Sequence, residues 1–152
     1  MGYGLVEDGA DADAQVVEWG VITAGSRLPL GERLFLLYQQ LVALMEQYAP
    51  QEVAVEAPFV AKNTRTAMAI GQAQGVALMA AASRGITAVT YSPTQVKHAV
   101  TGYGGASKEQ VQQAVAMHLG LDAAPDPEDA ADALAVALCH CQARRGAAML
   151  ES

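Results

Sequence analysis

The chain has 152 residues, 52% of them hydrophobic, and a formal net charge of −7. Length and apolar content predict a single domain, residues 1–152, with a sizeable core. The acidic balance excludes a generic nucleic-acid coat protein. No run of about 18 apolar residues predicts a membrane span, and Met1-Gly2-Tyr3-Gly4 with acidic residues behind it does not read as a secretory signal.

In chain order, Tyr3 to Glu7 predicts a strand, Gly9 to Asp13 an acidic turn, and Gln15 to Thr23 a second, β-branched strand. The two would pair as a hairpin, with Trp19 as packing or edge cover. From Leu30 to Tyr48 the period becomes helical. Leu34, Leu37, Leu41 and Leu44 form one apolar stripe, and Pro50 ends the helix. Glu52-Val53-Ala54-Val55-Glu56 reads as a short buried strand stopped by Pro58. Phe59 to Arg65 is a loop running into a long helix, roughly Asn63 to Arg84, with Asn63 as N-cap. Small residues at Ala67, Ala73, Ala77 and Ala80 allow that helix close approach to a neighbour. Gly85 closes it, and Ile86 to Tyr91 is a further strand.

Ser92-Pro93 opens a short helix, and Thr101 to Ala106 is a flexible loop. Ser107-Lys108-Glu109-Gln110 is a capping box that opens another helix, ending near Gly120. Asp126 as N-cap and Pro127 at N1 predict the start of the last helix. Cys139 and Cys141 lie in that helix two residues apart, so they point to different sides and make a poor disulfide or metal clip. They read as reduced thiols in a cytoplasmic protein. His140 between them reads as a packing or surface residue. A hairpin followed by alternating strands and helices predicts an α/β sheet with helices on both faces.

Asp129 and Asp132 are three apart and share one face of the last helix. Acidic residues are ordinary in a first helical turn, where the dipole favours them, so the pair alone says little. Glu56 adds to it, because chemistry in an open α/β sheet gathers at the carboxyl ends of strands. Three carboxylates that converge would suit Mg²⁺ or Mn²⁺, and two such ions can clamp the attacking and leaving oxygens of a phosphodiester. The basic residues Lys62, Arg65, Lys97 and Lys108 fall in predicted loops or helix starts, where solubility is the competing explanation.

Four stretches together resemble the RuvC Holliday-junction resolvases: Glu56-Ala57-Pro58-Phe59-Val60-Ala61-Lys62-Asn63, Gly71-Gln72-Ala73-Gln74-Gly75, Gln95-Val96-Lys97, and Asp129-Ala130-Ala131-Asp132-Ala133-Leu134. Their order and spacing agree over essentially the whole chain. The resemblance implies an RNase H-like mixed sheet flanked by helices, a homodimer, and symmetric nicking of four-way junction DNA with Mg²⁺ or Mn²⁺, two ions per site. Glu56, Asp129 and Asp132 correspond to the second, third and fourth metal-holding carboxylates. Phe59 corresponds to an aromatic near unstacked bases, where stacking contributes about 1–3 kcal/mol per base. Lys62, Asn63, Arg65, Lys97 and Lys108 are the implied DNA contacts, the cations neutralising phosphates. A branch-migration motor complex is a further partner on this reading, and no membrane is involved.

The departure is at the start. The family opens with a central strand ending in Asp-Pro-Gly, followed by Thr-Gly-Tyr-Gly, and its Asp is the first metal ligand. This sequence opens at Met1-Gly2-Tyr3-Gly4, and Asp-Pro-Gly does not occur in it. Asp8 and Asp11 lie beyond the Gly-Tyr-Gly strand and do not replace it. DNA binding with negligible cleavage is therefore expected of the 152 residues. Two rivals stand beside the nuclease: a non-catalytic junction-binding module, and an inactive fragment whose exposed sheet invites self-association.

Overall fold

The structure, a computed structural model, describes residues 1–9, 13–57 and 64–151. In chain order its elements are β1 (Gly2–Glu7), β2 (Gln15–Val21), α1 (Leu30–Tyr48), β3 (Glu52–Glu56), α2 (Thr64–Ser83), β4 (Thr87–Tyr91), α3 (Pro93–Thr101), α4 (Lys108–His118) and α5 (Glu128–Glu151). They fall into two compact units. One comprises Met1 with Ile22–Ser92, the other Gly2–Val21 with Pro93–Ser152.

In the first unit, β3 and β4 pair in parallel, from Glu52 opposite Thr87 to Glu56 opposite Tyr91. The α2 helix is the crossover between them, as a parallel pair requires. It packs on both strands and against α1. Its buried residues are Val76, Ala77, Ala80 and Ala81, and the three alanines permit the close approach the sequence suggests. The α1 stripe centres on buried Leu41 and Met45. Phe35, 56% exposed, lies outside it and stacks on Tyr38 at 6.3 Å. None of the five β3 residues is fully buried, although strands of a parallel sheet are normally covered on both faces.

In the second unit, β1 and β2 form the expected antiparallel hairpin, with a register shift between Leu5 and Val6. The α5 helix packs against β1 and β2, and α3 and α4 pack on α5. Ala130, Ala131, Leu134 and Ala135 are at most 1% exposed, so the N-terminal half of α5 is the spine of this unit. Trp19 Nε1 donates to the Asp126 carbonyl at 3.3 Å and holds the approach to α5. Further along, the Arg145 guanidinium pairs with the Asp8 carboxylate. Cys139 and Cys141 are both buried thiols without a disulfide.

The four described strands make two two-stranded ladders, β1–β2 antiparallel and β3–β4 parallel. Each strand has a single ladder partner among the described residues. One sequence expectation, at the start of α5, needs correction. Pro127 is not at N1. Its carbonyl accepts from Ala130 N at 3.0 Å and from Ala131 N at 3.3 Å. It therefore stands at the N-cap, and Asp126 lies outside the helix.

The capping box at α4 forms as read. Ser107 Oγ accepts from Gln110 N at 3.2 Å, and Gln110 Oε1 accepts from Ser107 N at 2.8 Å. Ser107→Ala is expected to lower stability by about 1 kcal/mol in urea unfolding, with Ser107→Asp close to the parent. Equal loss in both variants would show that the hydroxyl's capping bond is not what matters.

Candidate metal and nucleic-acid site

Asp129 and Asp132 sit in the first two turns of α5. Asp129 is exposed, at the end of the helix where backbone N–H groups favour an anion. Asp132 is half-buried. Lys108, the first residue of α4, reaches across to α5. Its ammonium lies 3.3 Å from Asp132 Oδ2 and 3.1 Å from Glu128 Oε1. Gln112 Nε2 donates to the same Glu128 oxygen at 3.3 Å.

The electrostatics follow from this packing. Burial pushes the Asp132 carboxyl above the usual carboxylate range; Lys108 draws it back down, and Glu128 and Asp129 push it further up. Burial works to lower Lys108, but its hydrogen bonds and charge contacts with Glu128 and Asp132 outweigh that and leave it raised. Burial thus disfavours the Asp132 charge, and the cation beside it offsets part of that cost.

Glu56 ends β3. The Ala57 N–H donates to the Tyr91 carbonyl at 2.6 Å, and the Gln74 side-chain amide donates to the Glu56 carbonyl. The strand terminus is therefore fastened to both β4 and α2, which fixes the backbone that carries the carboxylate. Gln74 lies within the Gly71–Gly75 stretch that carries the family resemblance, and this tie gives that stretch a physical reason.

The remaining candidates are spread through both units. Arg65 is exposed in the first turn of α2. Lys97 lies on α3, half-exposed, and its carbonyl accepts from Thr101 Oγ1 at 2.7 Å. Phe59, Lys62 and Asn63 lie outside the described residues, as does Asp11. The sequence assigned Lys108 to DNA phosphates; in the fold two carboxylates hold its ammonium. Sequence reasoning also missed Glu128. Its spacing of four from Asp132 puts both on one helix face, and that signal was legible.

Asp129 and Asp132 offer the hard oxygens that Mg²⁺ and Mn²⁺ prefer. The demand that Asp132 makes for a neighbouring cation is one a divalent ion meets, so the donor chemistry fits. Among the described residues no three Asp, Glu, His or Cys side chains are grouped to hold a metal. A complete site therefore needs donors beyond the α5 pair.

The chain matches the family described as "Crossover junction endodeoxyribonuclease RuvC" over residues 1–140. A protein of that name from Roseiflexus sp. (strain RS-1) is 49% identical over 143 residues, spanning 94% of this chain and 84% of the relative. Its counterpart from Chloroflexus aggregans is 50% identical over 141 residues, spanning 92% and 85%. Among solved structures, Thermus thermophilus RuvC superposes with a TM-score of 0.86 at 35% identity, covering 95% of this chain and 89% of that one. The same protein in complex with Holliday junction substrate gives 0.85 at 35% identity, covering 94% and 87%. The fold is thus an α/β nuclease fold of the RNase H-like type. The chain belongs to the RuvC family of crossover junction endodeoxyribonucleases.

Proposed function

We propose that this protein binds four-way DNA junctions and that Glu56, Asp129 and Asp132 are three of the carboxylates that hold its divalent ions, Mg²⁺ or Mn²⁺. The observation that carries this reading is the half-buried Asp132, three residues from Asp129, with a cation at 3.3 Å that offsets part of the cost of its burial. Such a carboxylate contributes little to stability and suits a metal ligand. Carboxylates that share an ion repel one another without it, which accounts for Lys108 standing at Asp132.

When bound, the ions supply Lewis-acid charge that activates water and stabilises the leaving oxygen. The chain's own residues hold and orient. Glu56 is held by a strand end that Gln74 fastens. Asp129 and Asp132 are held by the buried face of α5. Lys108 sits at Asp132, where its charge limits the repulsion among Glu128, Asp129 and Asp132. Lys62, Asn63, Arg65 and Lys97 contact phosphates, and Phe59 stacks on an unpaired base. The 152 residues act as one RNase H-like domain in a homodimer in the cytoplasm, with a branch-migration motor as a further partner. Among the described residues no helix is long and apolar enough to cross a membrane.

The test is the salt dependence of junction affinity. A lysine that neutralises one phosphate contributes about one unit to the slope of log affinity against log salt. Lys97→Ala is expected to flatten the slope by about that amount. Lys108→Ala flattens it less, because Glu128 and Asp132 already engage its charge. A slope unchanged by Lys97→Ala, or equal affinity for a junction and a plain duplex, would contradict the reading.

A further inference from the structure

We propose that Gly2 positions Asp129 and Asp132, and that Gly4 supports it one turn further along α5. This rests on the reading of the two aspartates as metal ligands. Gly2 and Gly4 are two apart on β1, so they present the same face of the strand, and this strand packs on α5. A Cβ added at Gly2 would overlap the main-chain carbonyl of Asp129 and stand 2.8 Å from Ala130 N. Both neighbours are helix backbone, which cannot turn aside as a side chain can. A Cβ at Gly4 would stand 2.5 Å from Leu134 Cδ2, 2.7 Å from its Cγ and 3.2 Å from its N. Leu134 is 0% exposed and has little room to yield.

Neither glycine has a positive φ, so backbone freedom does not explain them. Close approach does, and a glycine within a strand commonly marks such approach. The consequence is specific. Any side chain at residue 2 moves the turn of α5 that begins with Asp129, and Asp132 follows as part of the same rigid helix. Sites of this kind tolerate displacements of only about 0.5 Å, and about 1 Å can cost on the order of 10²-fold. Gly2 has no side chain to bind an ion and acts through the α5 backbone beside it, as a positioning residue.

The experiment compares Mn²⁺ affinity, by calorimetry, in the full chain and in Gly2→Ala, Gly4→Ala, Val115→Ala and Asp132→Asn. Backbone amide chemical shifts of residues 129–134 are recorded for each. Val115, 0% exposed on α4 of the same unit, supplies a destabilised control that leaves the β1–α5 contact intact. Gly2→Ala is expected to weaken Mn²⁺ binding by about tenfold or more and to shift the amides of residues 129–134. Val115→Ala should do neither in its folded fraction. If Gly2→Ala fails to fold, Gly4→Ala carries the test, and Leu134→Val, which shortens the clashing side chain, should restore part of the affinity it loses. Parent-like affinity and amide shifts in Gly2→Ala, or a loss in Val115→Ala as large as in Gly2→Ala, would overturn the proposal. So would Gly4→Ala that loses affinity without rescue by Leu134→Val, where Gly2→Ala does not fold. Parent-like affinity in Asp132→Asn would instead overturn the metal-site reading, and the amide shifts of Gly2→Ala would then decide the positioning claim alone.

Discussion

In a protein extended by a strand ending in Asp-Pro-Gly, Asp132→Asn is expected to lower Mg²⁺-dependent nicking of a four-way junction by roughly 10²–10³-fold, because a carboxylate on a catalytic ion contributes several kcal/mol of charge stabilisation. Thermal stability at neutral pH should be unchanged or slightly higher. Burial raises the folded-state pKa of Asp132, so the folded chain binds a proton more readily than the unfolded chain does. Any stability from this group is fully present below the unfolded value and is lost as pH rises through the raised folded one. At neutral pH the parent therefore carries a desolvated charge that asparagine removes. The lost pairing with Lys108, whose side chain is 51% exposed, is a surface ion pair contributing only about 0–1 kcal/mol. The melting temperature of the variant should meet or exceed that of the parent at neutral pH. The difference should fade as pH falls toward the ordinary carboxylate value of 3.8. A variant less stable than the parent at neutral pH, by a margin that shrinks as pH falls, would show that the Lys108 pair, not burial, governs the group.

An extended protein that begins with a strand ending in Asp-Pro-Gly is expected to gain both stability and nicking over the 152-residue chain. Among the described residues, the strand β3 has one ladder partner and no fully buried residue, although Val53, Ala54 and Val55 are apolar. The strand β1 likewise has one ladder partner among the described residues. An added strand supplies backbone partners and apolar cover. Each unpaired backbone group that would otherwise be buried costs about 1–3 kcal/mol, so several such gains would be a large share of a typical 5–15 kcal/mol total. The added Asp supplies the family's first carboxylate, without which a second divalent ion is poorly compensated. Asp→Asn at that new position separates the two effects: urea unfolding should show the stability retained, and the nicking assay should show the activity lost. If the 152-residue chain already nicks junctions as fast as the extended one, the first carboxylate is dispensable and this account of the site is wrong.

Much of this was legible from local chemistry. The leucine period marks α1 and Pro50 ends it, so Leu30 to Tyr48 could be read directly. Glu52 to Glu56 stood out as an apolar strand between charged ends. Ser107 and Gln110 announced a capping box that the structure forms. The misses share a different cause. Pro127 was placed one position too far into α5, because propensity locates a helix start only to within a residue or so. The pairing of Lys108 with Glu128 and Asp132 depends on how α4 packs on α5, which no local pattern encodes. The roles of Gly2 and Gly4 likewise depend on which backbone lies opposite them.

The claim that Glu56 acts with Asp129 and Asp132 on the same ion is tested most directly by titrating Mn²⁺ into the parent, Glu56→Gln, Asp132→Asn and the double variant. Groups that share one ion are non-additive. Each single variant should lose the same binding event, and the double variant should lose little more than either. Parent-like Mn²⁺ affinity in Glu56→Gln, or losses that simply add in the double variant, would show that the two carboxylates serve separate ends and would contradict the account.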